Sequence, residues 1–248
     1  MPTPTRRWPL LPLLPFLLAA ACGATAPAPA AAPPPPAGHG DAAEHFDHHG
    51  LQGAGGHQHR FDDAEKWAKV FDDPARDAWQ RPADVIALLA LTPGMTVADL
   101  GAGTGYFEPH LSRAVGDRGQ VLALDVEADM VRYLGERAAR EQLANVTARQ
   151  VPMDDPQLPA GKVDRVLIVD TWHHIQDRPA YVKKLAAGLA PGGWVVVVDI
   201  TLESKYGPPV AARLRPEQVV AELEAGGLAA AIVDEPLSEQ YVVVGKRP

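Results

Sequence analysis

The residues best suited to chemistry form a glycine-rich run, Asp99-Leu100-Gly101-Ala102-Gly103-Thr104-Gly105, where an apolar stretch gives way to helical periodicity. Absent side chains at Gly101 and Gly103 let the backbone close on a ligand, and Gly105 frees the start of the helix that follows. Asp125 lies 20 residues beyond Gly105, at the end of the next apolar stretch. A carboxylate there can accept hydrogen bonds from both hydroxyls of an adenosine ribose, or it can cap the following helix, since acidic residues favour helix N-termini. The loop spacing favours ribose binding. That spacing is G-x-G-x-G, and Tyr106 stands where the dinucleotide fingerprint G-x-G-x-x-G needs its third glycine, which counts against a nicotinamide dinucleotide.

A second group follows the fourth expected strand. Asp170 lies at the strand's carboxyl end, where open α/β sheets bind ligands, and it can equally serve the turn that starts there. His173 and His174 come next, and a histidine there can take a proton from a substrate oxygen, nitrogen or carbon because its ordinary pKa sits near neutrality. The competing role is structural, one histidine packed under the loop and the other solvated. Trp67, Trp79 and Tyr106 can line an aromatic wall over a cationic ligand, although such side chains more often belong to a core.

These groups need a scaffold, and the chain provides one from Phe61 onward. Helical spacing over Trp67, Val70 and Phe71, a break at Pro74, and a helix opening at Pro82 with Val85, Ile86, Leu88 and Leu89 inward predict a helical cap over residues 61–91. Strands are expected at 96–100, 120–125, 146–151, 163–170, 194–200, 229–234 and 241–245, with helices between the first five and again near 216–224. Uniformly apolar runs such as Val195 to Val198 suit strands covered on both faces, hence a doubly wound α/β sheet. The connection from Glu235 to Gln240 is too short for a parallel crossover, so the last two strands should pair antiparallel, giving seven strands of which the last runs against the rest. Pro191-Gly192-Gly193 reads as the turn into the fifth strand.

Residues 1–60 differ in kind. Arg6 and Arg7 precede an apolar run from Trp8 to Ala21 that is too short and too rich in proline to span a bilayer, and reads as a signal peptide. The run ends at Cys22, the only cysteine, in Leu18-Ala19-Ala20-Ala21-Cys22, which resembles a bacterial lipobox; an ordinary small-residue cleavage site is the alternative. The expectation is therefore residues 1–22 as leader and an envelope location on the periplasmic face, with the membrane met only through a lipid on Cys22. Residues 23–60 are expected to be a disordered tether, first alanine and proline, then a glycine-rich stretch holding six of the nine histidines, His39, His45, His48, His49, His57 and His59. Imidazoles on a flexible chain can bind zinc, copper or nickel, but no cysteine or repeated spacing fixes a geometry, and a solvated linker is the plainer reading. The net charge of −8 gives no basic footprint for nucleic acid.

The glycine run looks like the S-adenosylmethionine motif of class I methyltransferases, and later segments keep matching. Asp154-Asp155-Pro156-Gln157-Leu158-Pro159, Val163 to Ile168, His173-His174-Ile175 and Leu189 to Trp194 resemble, in order, motifs of the ubiquinone/menaquinone-biosynthesis type, over roughly residues 79–200. The resemblance implies a Rossmann-like fold with S-adenosyl-L-methionine as cofactor. It places Gly101, Gly103 and Gly105 against the methionine part, Asp125 on the ribose and Asp154, in preference to Asp155, near the adenine. Asp99 would orient the loop and reach the ligand's amino group directly or through water. The implied activity is methyl transfer to a small molecule whose pocket is built from residues 61–91 and 201–215. The competing reading is a non-catalytic envelope lipoprotein that uses the fold for binding and the histidine tail for metal.

Overall fold

The structure is a computed structural model that describes residues 63–235 and 237–248. It begins with the helical cap. Asp63 accepts from the backbone N–H of Lys66 at 3.0 Å and starts α1 (Ala64–Phe71), a cap worth about 1 kcal/mol. The Ala64 N–H donates to Asp129 at 2.8 Å and docks this helix on the sheet layer. α2 (Arg76–Gln80) closes on Arg81, which takes a left-handed φ of 48°, and Pro82 opens α3 (Pro82–Leu88). Val85 and Leu89 are fully buried, and Ile86 and Leu88 pack on the same cluster.

Strands and helices then follow, without the helix expected between the third and fourth strands: β1 (Thr96–Leu100), α4 (Glu108–Val115), β2 (Gln120–Asp125), α5 (Ala128–Arg140), β3 (Val146–Gln150), β4 (Val163–Val169), α6 (Arg178–Gly188), β5 (Leu189–Ile200), α7 (Pro216–Ala225), β6 (Ala229–Val233) and β7 (Gln240–Lys246). The sheet order is β3-β2-β1-β4-β5-β7-β6. Strands β1 to β5 pair in parallel, and β7 is antiparallel to both of its neighbours, as the short final connection requires. The position of β7 between β5 and β6 has no counterpart in the sequence pattern.

The apolar runs fill cores on both faces. Ala98, Leu100, Val166, Ile168, Val195 and Val197 belong to one cluster, and Val97, Leu167, Val169, Val196 and Val198 to the other. Val195 to Val198 have no exposed surface, each contributing on the order of 1.5 kcal/mol or more by burial. Cap and sheet are joined where Arg165, stacked 3.1 Å over the Trp194 ring, donates to the Leu89 carbonyl at 2.7 Å. No helix among the described residues is long and apolar enough to cross a membrane.

Most strand ends moved by a residue, and two shifts bear on the site. The pairing passes from Val163 with Leu189 to Arg165 with Trp194, so β5 starts five residues early and Pro191-Gly192-Gly193 forms a bulge within it rather than a turn before it. β4 stops at Val169, leaving Asp170 just outside the ladder with a left-handed φ of 49°. The chain leaves β1 toward β2 on one side and enters β4 from β3 on the other, so the carboxyl ends of β1 and β4 flank the crevice where such sheets bind ligands.

Candidate functional site

The glycine loop fills one wall of that crevice. Gly101 and Ala102 donate to the Leu124 carbonyl, folding the loop over the end of β2. A Cβ on Gly101, at φ 74°, would stand 2.3 Å from the Thr171 hydroxyl, so only glycine lets the β1 and β4 loops approach this closely. Gly103, at φ 56°, donates its N–H to Asp125 Oδ2 at 2.9 Å, while Asp125 Oδ1 accepts from the Glu127 N–H at 2.9 Å. The loop and the carboxylate that the sequence paired are thus in direct contact. Burial raises Asp125 above the ordinary carboxylate range, against the pull of those N–H donors.

Beneath the loop, Asp99 and Glu108 face one another with 3% and 1% exposure. Burial pushes Asp99 up to about 7 and Glu108 well above its usual value. Neither Glu108 oxygen has a hydrogen-bond partner among the described residues, and burial beside the Asp99 carboxylate favours the neutral form of Glu108.

The opposite wall comes from the β4 loop and β5. His173 Nδ1 lies 3.0 and 3.1 Å from the two Asp199 carboxylate oxygens, with the side chains 7% and 4% exposed. A carboxylate partner keeps the proton on Nδ1 and leaves the Nε2 lone pair as the basic site. Burial alone would lower His173, but the hydrogen bond and charge of Asp199 outweigh it and raise the imidazole. The His174 ring lies against His173 at a tilt of 42°, with centroids 4.2 Å apart. Asp170 accepts from Gln240 Nε2 at 2.8 Å and is raised by burial, and by the charge of Asp199, to about 6.

The cap closes the top. Arg76 donates from Nε and Nη2 to Gln80 Oε1 at 3.2 and 3.0 Å and from Nη1 to the Phe71 carbonyl at 2.9 Å. Its guanidinium lies 4.1 Å over the Tyr106 ring, whose hydroxyl donates to Asp77. Gln80 in turn donates to Gln240 at 2.7 Å, so one chain of hydrogen bonds runs from Arg76 through both glutamines to Asp170. Of the expected aromatic wall, Tyr106 faces this cation, Trp67 stacks on Phe71, and Trp79 stacks on Tyr206 at 4.6 Å. That last pair joins the cap to the 201–215 segment. Arg213 holds this segment in shape by donating to the carbonyls of Thr201, Leu202, Ser204, Tyr206 and Pro208.

Asp154 stands apart, its side chain 85% exposed and 3.5 Å from Lys184, while Asp155 accepts from the Gln157 N–H. Cys22 and the histidines at 39, 45, 48, 49, 57 and 59 lie outside the described residues. Among the described residues no three His, Cys, Asp or Glu side chains group as a metal site. A cavity of about 430 Å³ between α5 and β3, lined by Ala138, Gln142, Leu143 and Val146, shares no residue with the crevice and has no ionisable lining. The sequence reading missed Arg76, Gln80, Glu108, Asp199, Arg213 and Gln240. A signal existed for Asp199, a charge set near the end of a strand of valines, and for Arg76 and Gln80, polar groups one turn apart in the cap.

Residues 97–193 match the family described as "Methyltransferase domain". The ubiquinone/menaquinone biosynthesis C-methyltransferase UbiE of Shewanella frigidimarina is 30% identical over 125 residues, which is 50% of this chain and 49% of that protein. The chain spans about half the length of the curated relatives it matches. A SAM-dependent methyltransferase from Aquifex aeolicus superposes with a TM-score of 0.70 at 29% identity, covering 75% of this chain and 99% of that one. A phosphoethanolamine N-methyltransferase of Haemonchus contortus in complex with S-adenosyl-L-methionine shares the fold, with a TM-score of 0.53 at 21% identity over 62% of this chain and 38% of that one. Residues 97–193 thus match a methyltransferase domain by sequence, and the described residues share their fold with S-adenosylmethionine-dependent methyltransferases.

Proposed function

We propose that this protein transfers a methyl group to a small-molecule acceptor bound under the cap. The observation that carries the reading is the Gly103 to Asp125 hydrogen bond, which fixes the glycine loop and the ribose-facing carboxylate as one unit at the head of the crevice. The residues around it fit S-adenosylmethionine. Asp125 keeps a spare lone pair on each oxygen for a ribose hydroxyl, and Val126 and Met153, both exposed apolar side chains at the ends of neighbouring strands, suit the faces of an adenine beside Asp154. Asp99 and Asp170 offer carboxylates to the ammonium of the methionine part.

When bound, the cofactor supplies a sulfonium methyl, whose carbon bonds the acceptor as the sulfur–carbon bond breaks and the sulfur leaves as a neutral thioether. The protein's part is alignment, which provides most of the rate for an already activated leaving group, and removal of one proton from the acceptor. His173 Nε2 receives that proton, and Asp199 stabilises the imidazolium that results. The cap, through the Trp79 and Tyr206 stack, and the segment braced by Arg213 enclose the acceptor and exclude water. The leader ending at Cys22 would present this domain on the envelope face.

Calorimetric titration of the full chain with S-adenosylhomocysteine tests the reading. Micromolar binding that weakens about tenfold or more in Asp125→Ala, with the circular dichroism unchanged, is expected. A folded wild-type chain that binds neither this nucleoside nor S-adenosylmethionine would end it.

A further inference from the structure

Asp199 holds the ring of His173, but not the backbone that carries it. That backbone is a single helical turn, Trp172–His174, closed by the His174 N–H on the Thr171 carbonyl and the Ile175 N–H on the Trp172 carbonyl. A turn this short does not fix its own tilt. A group outside it must set the angle at which Nε2 meets the crevice.

That group lies on α7, 50 positions beyond Trp172. Glu222 Oε2 accepts from Trp172 Nε1 at 2.9 Å and from Arg178 Nε at 2.8 Å. Arg178 passes the hold on, donating from Nη1 to the Ile175 carbonyl at 2.8 Å. One carboxylate oxygen therefore grips the loop on both sides of His173, directly at the residue before it and through a guanidinium at the second residue after it. Both bonds to the carboxylate are charge-assisted, the stronger class.

The grip is firm at each end. Trp172 has no exposed surface, and neither do Val219 and Leu223, which anchor α7 on either side of Glu222. Gln218 donates to the other oxygen of Glu222 at 2.9 Å and keeps the carboxylate from turning. The Tyr241 hydroxyl, buried without a hydrogen-bond partner among the described residues, feels the charge of both Asp199 and Glu222, so the two anchors bound one buried polar cluster. A half-buried ion pair adds little stability over apolar side chains of the same volume. What this one adds is direction.

We infer that Glu222 is the positioning residue for His173. Through Trp172 and Arg178 it sets the tilt of the turn, which brings Nδ1 onto Asp199 and turns Nε2 toward the acceptor. This rests on the reading of His173 as the base. A misplacement of about 1 Å at such a group costs on the order of a hundredfold in rate, so an arm from α7 governs turnover without touching the acceptor.

The test reads the His173 imidazole by heteronuclear NMR in the full chain. Well above the imidazole pKa, the ring-nitrogen shifts report which nitrogen carries the proton. The wild type should show one tautomer, protonated on Nδ1. Glu222→Gln removes the carboxylate, and Trp172→Phe removes one N–H while leaving every charge in place. Each should lose the single tautomer to a mixture with the proton partly on Nε2, and each should lower the imidazole pKa. Gln218→Ala touches Glu222 but not the loop, and should leave both readings as in the wild type. Folded variants that keep the wild-type tautomer and pKa would overturn the assignment, and so would an equal change in Gln218→Ala, by showing that any disturbance of α7 suffices. Should Glu222→Gln not fold, Trp172→Phe decides alone. A wild-type His173 protonated on Nε2 sinks the base reading itself, and this one with it.

Discussion

Gln80 and Gln240, 160 positions apart, share a buried 2.7 Å hydrogen bond that ties the cap to the first residue of β7. Removing one partner leaves the other's amide unsatisfied in a dry site. Gln80→Ala or Gln240→Ala should each cost about 1 to 3 kcal/mol in urea unfolding. The double variant should cost less than the sum of the singles, which a double-mutant cycle reads directly.

Asp170 gives a pH signature. Its carboxyl is raised from 3.8 to about 6, so the folded state binds a proton more tightly than the unfolded state and stability falls as pH rises from about 4 through 6. Asp170→Asn removes that penalty, keeps an acceptor for Gln240 and suits the left-handed φ. The variant should be more stable than wild type by about 1 kcal/mol at pH 8, after discount for partial solvation, and no more stable at pH 4. Thermal unfolding at the two pH values decides it.

His173 behaves in the opposite sense. Its pKa is raised, so the stabilisation from Asp199 is fully present below the unfolded value near 6.5 and is lost as pH rises through the folded value. Titrating the imidazole by NMR in the wild type should give a pKa above 6.5. In Asp199→Asn burial is opposed only by the charge of Asp170, and the pKa should fall from its wild-type value. An unchanged value would remove Asp199 from the proposed proton transfer.

Arg213 makes five contacts to main-chain carbonyls of one segment. Arg213→Ala should leave the sheet intact and raise the rate of proteolytic cleavage within residues 201–213 several-fold, a change that depends on local rather than global opening.

The leader reading has its own check. Expressed in a bacterial host, the wild-type chain should partition with membranes and carry a lipid mass on Cys22, and Cys22→Ser should lose both.

Most of the sheet was legible because its signals are local. Strand limits at 96–100 and 120–125 agree to the residue, since each is an apolar run bounded by turn residues. The Gly103 and Asp125 partnership was legible for the same reason, two motif positions in adjacent strand ends. What the sequence hid depends on distant pairing. Asp199 becomes the partner of His173 only because β4 and β5 are neighbours. Gln240 reaches Asp170 only because β7 enters the sheet beside β5. Arg76 lies over Tyr106 only because the cap folds back on the start of α4, a contact between segments 30 residues apart that no local periodicity announces. Asp154, by contrast, stands exposed 3.5 Å from Lys184, apart from the residues that the crevice brings together.

The insertion of β7 between β5 and β6 sets an order of events. Until residues 240–246 are available, β5 has no neighbour beyond β4, β6 has none at all, and the glutamine latch on the cap has no second half. A chain still emerging from the ribosome therefore lacks these contacts until residues 240–246 are available. The one strand β7 thus completes both the sheet beyond β5 and the latch on the cap.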